Sequence, residues 1–265
     1  MEGDEPEKGG PDRAPFVAPD LATYYTLIAT ETVSLIGSQI SGLAVSISMF
    51  GRTGHATPLA LVAFFYTAPQ MLAQGFGGAL ADRFDRRKLM LIANLGFALC
   101  SGLLLLSFTS GAFQLWHLYA LTFASSLFAV LDGPAFQASV TMLVPDRHRD
   151  RANAVGQLTS PVAGIIAPAV AGVLYAAIGA PGAIMVDLAM FGAAILVLLV
   201  VRIPMPITTA VGRALAGGLW RQAFDGFRYL ADRPVLLGLT VYICLVNFLV
   251  NGVGVLIAPY VLRSC

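Results

Sequence analysis

Long apolar runs separated by short polar turns dominate the pattern of hydrophobic and polar positions along the chain. A bilayer-spanning helix needs about 20 mostly apolar residues, and seven runs reach that length: 22–50, 58–81, 89–109, 114–144, 153–178, 182–201 and 235–262. The runs lack the period-2 alternation of membrane strands. The pattern therefore predicts an all-α membrane protein, with six spans forming an amino-terminal bundle over 22–201 and a seventh span at 235–262.

Two polar segments flank this first bundle. Residues 1–21 are acidic and rich in Pro and Gly, a composition typical of a disordered tail. Within 202–234, apolar side chains recur at helical spacing between 219 and 233, with charged side chains opposite. This spacing predicts an amphipathic helix on the membrane face, inside a linker between spans six and seven.

Lys and Arg residues indicate the orientation. All sixteen can be placed on the predicted spans, and all except Arg52 and Arg263 fall in the amino-terminal tail or in even-numbered connections. Basic loops remain on the cytoplasmic side. We therefore expect a multi-pass protein of the cell (plasma) membrane, with its amino-terminal tail and its linker in the cytoplasm.

Composition supports a bilayer environment and narrows the function. Apolar residues make up 57% of the chain and charged residues 12%, against the usual ~45–50% and ~25%. The net charge of +1 gives no sign of nucleic-acid binding, and the three cysteines have no disulfide or metal spacing. Because no phosphate loop, metal cluster or Ser/His/Asp arrangement is visible, we expect no enzyme, no cofactor and no metal.

The segment Asp82–Lys88 concentrates charge between two apolar runs. Two glycines precede it and would let helices approach closely. Asp82 is expected just ahead of span three, where an acid favours a helix amino terminus. Arg86, Arg87 and Lys88 are expected to face the anionic inner leaflet. On the residues alone, a simple positive-inside anchor explains the segment as well as a functional motif does.

The spacing of this segment resembles the G-x-x-x-D-R-x-G-R-R-K signature of the major facilitator superfamily, which lies in the same loop. Asp85 replaces the last Gly, and the form DRFDRR is common in the drug-efflux branch that includes macrolide and enterobactin exporters. The resemblance implies a conformational latch that ties two six-helix halves together in the outward-facing state. It assigns this latch to Gly78, Asp82, Arg83, Arg86 and Arg87.

Two further stretches resemble the same branch. In span four, DGPAFQA is similar to D-x-P-x-R-Q-A, with Phe136 in place of Arg. In span five, AGIIAPAVAG is similar to the antiporter signature G-x-x-x-G-P-x-x-G-G, with alanine replacing three of the four glycines. The resemblance runs over about 22–262, without spans eight to twelve. It implies helix bending at Pro134, Ala167, Pro168 and Gly172.

Glu31, Asp132 and Asp187 lie inside predicted spans, where each acid costs about 2.5–3.5 kcal/mol by insertion scales. No span holds a basic partner for Glu31, which suits a proton carrier; a carboxyl facing a watery cavity without carrying protons is equally compatible. Asp132 is either a second proton-coupling site or a structural hydrogen-bond acceptor. Asp187 is expected to be interfacial or a helix cap.

Other polar side chains on the spans are candidates for a substrate path. They are Gln39, Tyr66, Gln70, Asn94, Asn247 and Asn251. Tyr66 and Gln70 are four residues apart and share a helix face, as do Asn247 and Asn251. The alternative is that these side chains hold helices together.

Two functions of different classes follow. The first is secondary active transport: proton-coupled efflux of a small amphiphilic molecule (drug, macrolide or siderophore-like) by alternating access, with protons and the bilayer as partners. The second is a half-length or truncated membrane protein that does not transport and acts as a scaffold or an inert product. The absence of spans eight to twelve favours the non-transporting protein. An oligomer is possible if the chain is complete.

Overall fold

The computed structural model describes residues 21–55, 57–201, 231–246 and 249–250, and this part of the chain is helical with short connections. The helices are α1 (Leu21–Thr53), α2 (Thr57–Arg83), α3 (Arg86–Thr109), α4 (Leu115–Leu143), α5 (Arg149–Val200) and α6 (Pro234–Val246), with a 3-10 turn at Asp146–His148. The predicted tail and linker, including the amphipathic helix 219–233, lie almost entirely outside the described residues.

Helix α5 consists of two arms that meet at Gly179. This glycine has φ 68° and ψ −175°, in the left-handed half of the map that side chains with a Cβ rarely occupy. Residues 149–178 form the amino-terminal arm and 180–200 the carboxy-terminal arm. The sharp break falls between the predicted fifth and sixth spans, so the sequence IGAPGA does form the turn expected of it.

The helices have the length and composition of membrane spans. Among the described residues, α1, α3, α4 and α5 are long and apolar enough to cross a bilayer. Helix α2 is apolar over Thr57–Ala73 and continues into a polar last turn. The bounds of α1 to α4 and of the two arms of α5 differ from the first six predicted spans by only a few residues, because polar turns interrupt the apolar runs at the same places. The end of the predicted seventh span lies outside the described residues.

Helix packing places α1 against α5, α2 against α4, and α3 beside both α4 and α5. The α2–α3 and α4–α5 connections lie at one end, called here the basic end because it carries the arginines around Arg83–Lys88 and Arg147–Arg151. A buried cluster at this end joins Tyr24, Leu89 and Leu198. A second cluster, with Met49 and Ile184, fills the opposite end.

A row of alanines lets α1 and α5 approach closely. Ala163, Ala167 and Ala171 occur every fourth residue, so they share one face of the amino-terminal arm, and each is at most 1% exposed. Ala167 and Ala171 pack with Ile40 and Ala44 of α1. Small side chains permit such contact between membrane helices, which accounts for the alanines in the glycine-rich signature.

Candidate functional site

A cavity of about 440 Å³ opens between α1, α2, α4 and α5, with mixed polar and apolar walls. Its position is set by the packing just described, since α1 pairs with α5 while α2 pairs with α4. The lining residues are Glu31, Leu35, Gln70, Ala129, Val130, Gly133, Pro134, Phe136, Gln137, Gly156, Thr159 and Ser160. The predicted Glu31, Gln70 and Pro134 therefore meet in one place.

Two carboxyl groups face each other at this cavity. The side chains of Glu31 on α1 and Asp132 on α4 lie within hydrogen-bonding range of one another. Asp132 is 7% exposed, and its Oδ1 has no hydrogen-bond partner in the described part of the chain. Two adjacent carboxylates repel, and a proton held between them relieves the repulsion. This arrangement has the chemistry of a proton-binding pair.

A close contact between α2 and α4 lies two residues before Asp132 on α4. Pro134 has no N–H, so the carbonyl of Val130 loses its usual partner four residues ahead. Gly77 packs against that carbonyl so closely that a Cβ there would lie 2.1 Å from its oxygen. The Gly77 backbone thus packs against the polar group that the proline leaves without a helix partner. The neighbouring residues Val130, Gly133 and Pro134 line the cavity, and Asp132 lies beside Glu31.

Tyr66 and Gln70 form a second polar pair next to the two carboxyls. Gln70 lines the cavity, and Tyr66 interacts electrostatically with both Glu31 and Asp132. The two residues are four positions apart on α2, so they share the helix face that was predicted for them. Helix α5 adds Thr159, whose hydroxyl lies 3.4 Å from that of Thr32 on α1.

Two other predicted path residues, Gln39 and Asn94, do not line the cavity. Gln39 is half-buried on α1 and does not line the cavity. Asn94 is 4% exposed, and its amide donates to the carbonyl of Met90 in its own helix at 2.9 Å. Asn247 and Asn251 are outside the described residues.

Pro134, Ala167, Pro168 and Gly172 all lie inside continuous helix. Ala167 faces α1, whereas Pro168 and Gly172 are exposed on another face of the same arm. The break in α5 is at Gly179 rather than at Pro168. Bending at the proline thus remains a prediction, separate from the sharp turn between the arms.

Asp187 is deep inside the helix packing rather than interfacial, contrary to expectation. It is 3% exposed and accepts hydrogen bonds from Ser38 on α1 at 3.1 Å and Ser101 on α3 at 2.8 Å. The carboxylate therefore joins three helical segments. Sequence reasoning missed this site, because single serines in apolar helices carry no pattern that marks them as its partners.

The structure corrects one prediction for the latch segment, the position of Asp82. Helix α2 extends to Arg83, so Asp82 is in the last turn of α2 and not at the amino terminus of α3. Asp85 caps α3 instead: its carboxylate accepts from the backbone N–H of Arg87 at 3.0 Å. An acid at this position satisfies a free helical N–H and favours the amino-terminal dipole, which explains the replacement of Gly in the signature.

The adjacent arginines of α3 point in two directions along the basic end. Arg86 donates to the carbonyl of Ala138 on α4 at 2.7 Å. Arg87 donates through Nε to the carbonyl of Leu198 at 2.7 Å, and through Nη2 to that of Leu199. Those carbonyls belong to the last turn of α5, where they have no helical partner. Both side chains hold helices of this bundle and do not simply face lipid.

Gly78 differs from its neighbour Gly77. A Cβ built at Gly78 would meet no heavy atom of another segment within 4 Å, whereas Gly77 is in tight contact with α4. Arg83 and Lys88 are exposed at the same end. One side of the predicted latch segment thus contacts α4 and α5. The other side has open space at Gly78 and the exposed side chain of Arg83.

Comparison with curated proteins gives similar transporters. The chain is 32% identical over 154 residues to an uncharacterised MFS-type transporter, YfiS, of Bacillus subtilis, covering 57% of this chain and 36% of the relative. It is 28% identical over 181 residues to macrolide efflux protein A of Streptococcus pyogenes, and this match covers 68% of this chain and 45% of the relative. It is 26% identical over 212 residues to the enterobactin exporter EntS of Shigella flexneri, and this match covers 78% of this chain and 49% of the relative.

These matches span half or less of each relative's length. The match to a family as a whole is more extensive. The family model described as Major Facilitator Superfamily matches residues 27–264, almost the full sequence. Together with its long apolar helices, this match shows that the chain is a multi-pass membrane protein and belongs to the Major Facilitator Superfamily.

Proposed function

We propose that this protein exports small amphiphilic molecules across the cell membrane by proton-coupled alternating access. The observation that carries the proposal is the Glu31–Asp132 pair at the cavity between α1, α2, α4 and α5. An acid buried in a membrane protein is expensive and is by default a functional candidate. A shared proton that binds and leaves would give the cavity two charge states.

The polar walls of the cavity supply the substrate contacts in this mechanism. Gln70, Gln137, Thr159 and Ser160 offer amide and hydroxyl groups beside apolar side chains. Such a mixture suits an amphiphile, since pockets are commonly apolar with a few polar groups that orient the ligand. The names of two relatives, a macrolide efflux protein and an enterobactin exporter, support efflux as the direction of transport.

The outward side of the predicted latch would meet the second half of the transporter. In this proposal, Asp82 and Arg83 form and break contacts with that half, and Gly78 lets it approach. Arg86 and Arg87 do not contact that half in this proposal. They hold the segment in position through hydrogen bonds to carbonyls of α4 and α5. The amino terminus and the basic end lie in the cytoplasm, in keeping with the distribution of arginine and lysine.

The test is transport by Glu31→Gln, which keeps the side-chain shape but removes the titratable group. The full native protein that carries these residues is expressed in cells, and inside-out vesicles are energised with an imposed proton gradient. Uptake is followed for a labelled macrolide, ethidium and a catecholate siderophore. We expect the variant to be made and inserted normally but to lose gradient-driven uptake by at least about tenfold, equivalent to ~1.4 kcal/mol.

Glu31→Asp is the matched control, since it keeps a carboxyl on the same helix face. It should retain more gradient-driven uptake than Glu31→Gln. Undiminished uptake by Glu31→Gln would remove Glu31 from the coupling mechanism. Equal loss in both variants would point to a steric rather than a protonation role.

A further inference from the structure

The charge of the cavity is one-sided. Glu31 lines it and Asp132 lies against Glu31, whereas no described lining residue carries a positive charge. Even with one proton shared by the pair, one negative charge remains. A charge in such low-dielectric surroundings interacts far more strongly than it would in water. An anionic ligand would face uncompensated repulsion here, whereas a cationic ligand would be attracted.

Phe136 supplies an aromatic surface next to this charge. It lines the cavity on α4, four residues after Asp132, so the two side chains are on the same helix face. An organic cation is attracted to the face of an aromatic ring, especially when desolvated. A cation over the Phe136 ring would therefore lie close to the carboxyl pair.

The remaining walls fit the body of an amphiphile. Leu35, Val130 and Pro134 are apolar, and the volume of about 440 Å³ falls within the usual range for small-molecule sites. Gln137 and Ser160 add neutral polar groups. The cavity thus combines an anionic pair, an aromatic surface and apolar walls, a set that matches an amine carried on an apolar body.

We propose that this cavity selects organic cations, amphiphiles with a protonated amine or a quaternary centre, and that Phe136 determines the selection by keeping a positive charge away from Asp132. The inference rests on the proposed function, because it takes the cavity as the substrate path. It narrows the candidate substrates by charge: amine-bearing compounds are favoured, and anionic chelators are disfavoured.

Two probes of nearly the same shape and opposite charge test the selection. Tetraphenylphosphonium and tetraphenylborate are bound at equilibrium to the full native protein in lipid nanodiscs, and partitioning into empty nanodiscs is subtracted. We expect the cation to bind at least about tenfold more tightly than the anion. Equal binding, or tighter binding of the anion, would overturn the proposal.

Substitutions at position 136 locate the effect. Phe136→Arg should lower the affinity for the cation at least about tenfold and raise that for the anion. Phe136→Leu keeps an uncharged apolar wall and should lower cation affinity by only about two- to fivefold. If Phe136→Arg does not give a monodisperse protein, Gln137→Arg places the same charge at an exposed position of the same cavity. Unchanged cation affinity in a folded arginine variant would contradict the inference.

Failure of the substrate class and failure of the proposed function are distinguishable in this design. Proton-driven export of an anionic compound, without cation selectivity in binding, would overturn the substrate class and leave the transport function standing. Selective cation binding without gradient-driven transport would overturn the function and leave the binding selectivity standing.

Discussion

Two buried acid sites lie on different helices of this protein, Asp187 on α5 and Asp132 on α4, and differ in how their charge is satisfied. Asp187 has a hydroxyl donor for each carboxylate oxygen, from Ser38 and Ser101. Asp132 has an oxygen without a partner in the described chain and a second carboxyl, Glu31, beside it. The first is a closed structural junction, and the second opens to a cavity. Burial alone thus does not distinguish the two acids, whereas the hydrogen-bond donors around them do.

The sharpest test of this difference is to neutralise each site without changing its shape. Asp132→Asn should lower gradient-driven export by at least about tenfold, equivalent to ~1.4 kcal/mol, because it removes a titratable group from the pair. Asp187→Asn should lower export less than about threefold after correction for protein amount. Export is measured in energised inside-out vesicles. The comparison fails if the two variants lose transport equally.

The free energy of unfolding should depend more on Asp187 than on the Glu31–Asp132 pair, the opposite of the order expected for export. Asp187→Ala leaves two serine donors without their charged acceptor, and hydrogen bonds to charged groups contribute about 1.5–3 kcal/mol each. We expect the free energy of unfolding to fall by roughly 2–4 kcal/mol. The measurement is reversible unfolding in mixed micelles, with Glu31→Gln as the control that keeps wild-type stability or exceeds it. A stable Asp187→Ala protein would show that the junction does not hold the helices together.

The space around the Asp187 junction can be probed from the facing helix. A Cβ at Gly37 would lie 2.6 Å from Sδ of Met190 and 3.1 Å from Oδ1 of Asp187. Gly37→Ala should therefore cost about 1–2 kcal/mol of unfolding free energy through overpacking.

Gly42 of the same helix is the matched control, since a Cβ there meets nothing within 4 Å. Gly42→Ala should leave stability unchanged or improve it slightly, because alanine favours helix over glycine. Similar effects at positions 37 and 42 would mean that the tight contact is not specific to the junction.

The smallest expected effect belongs to a single donor. Ser101→Ala removes the 2.8 Å bond to Asp187 and should cost about 1 kcal/mol. Ser160→Ala, at the exposed wall of the cavity, should leave stability unchanged. The readout is the midpoint of the same unfolding transition. A larger loss at Ser160 than at Ser101 would reverse the assignment of structural and functional sites.

Local pattern was sufficient for the helices of this fold and insufficient for its junctions. The apolar runs and polar turns predict the helix bounds, and the turn at Gly179 follows from its glycine and proline neighbours, because these signals act within a few residues. That Asp85 caps α3 could have been read from an acid just before a helical run. The prediction for Asp82 is wrong because α2 continues past the apolar run 58–81 and includes Asp82 in its last turn.

Contacts between distant segments were beyond the reach of the sequence. Glu31 and Asp132 were each recognised as costly membrane acids, but their pairing depends on how α1 packs beside α4, which no local pattern encodes. The partners of Asp187 are two serines among many. Arginine side chains near a membrane surface can face lipid or helix carbonyls, and only the packing of α3 beside α5 shows that Arg87 reaches carbonyls.

The two adjacent arginines of α3 also impose an order on biogenesis. Arg86 finds its acceptor 52 residues later in the chain, and Arg87 finds its acceptor 111 residues later. At ~5–20 residues per second, ribosomal synthesis delivers these acceptors about 3–10 s and about 6–22 s after the arginines themselves. The acceptor on α4 is thus made before the acceptor at the end of α5, and the contact of Arg87 can form only after the whole of α5 has been synthesised.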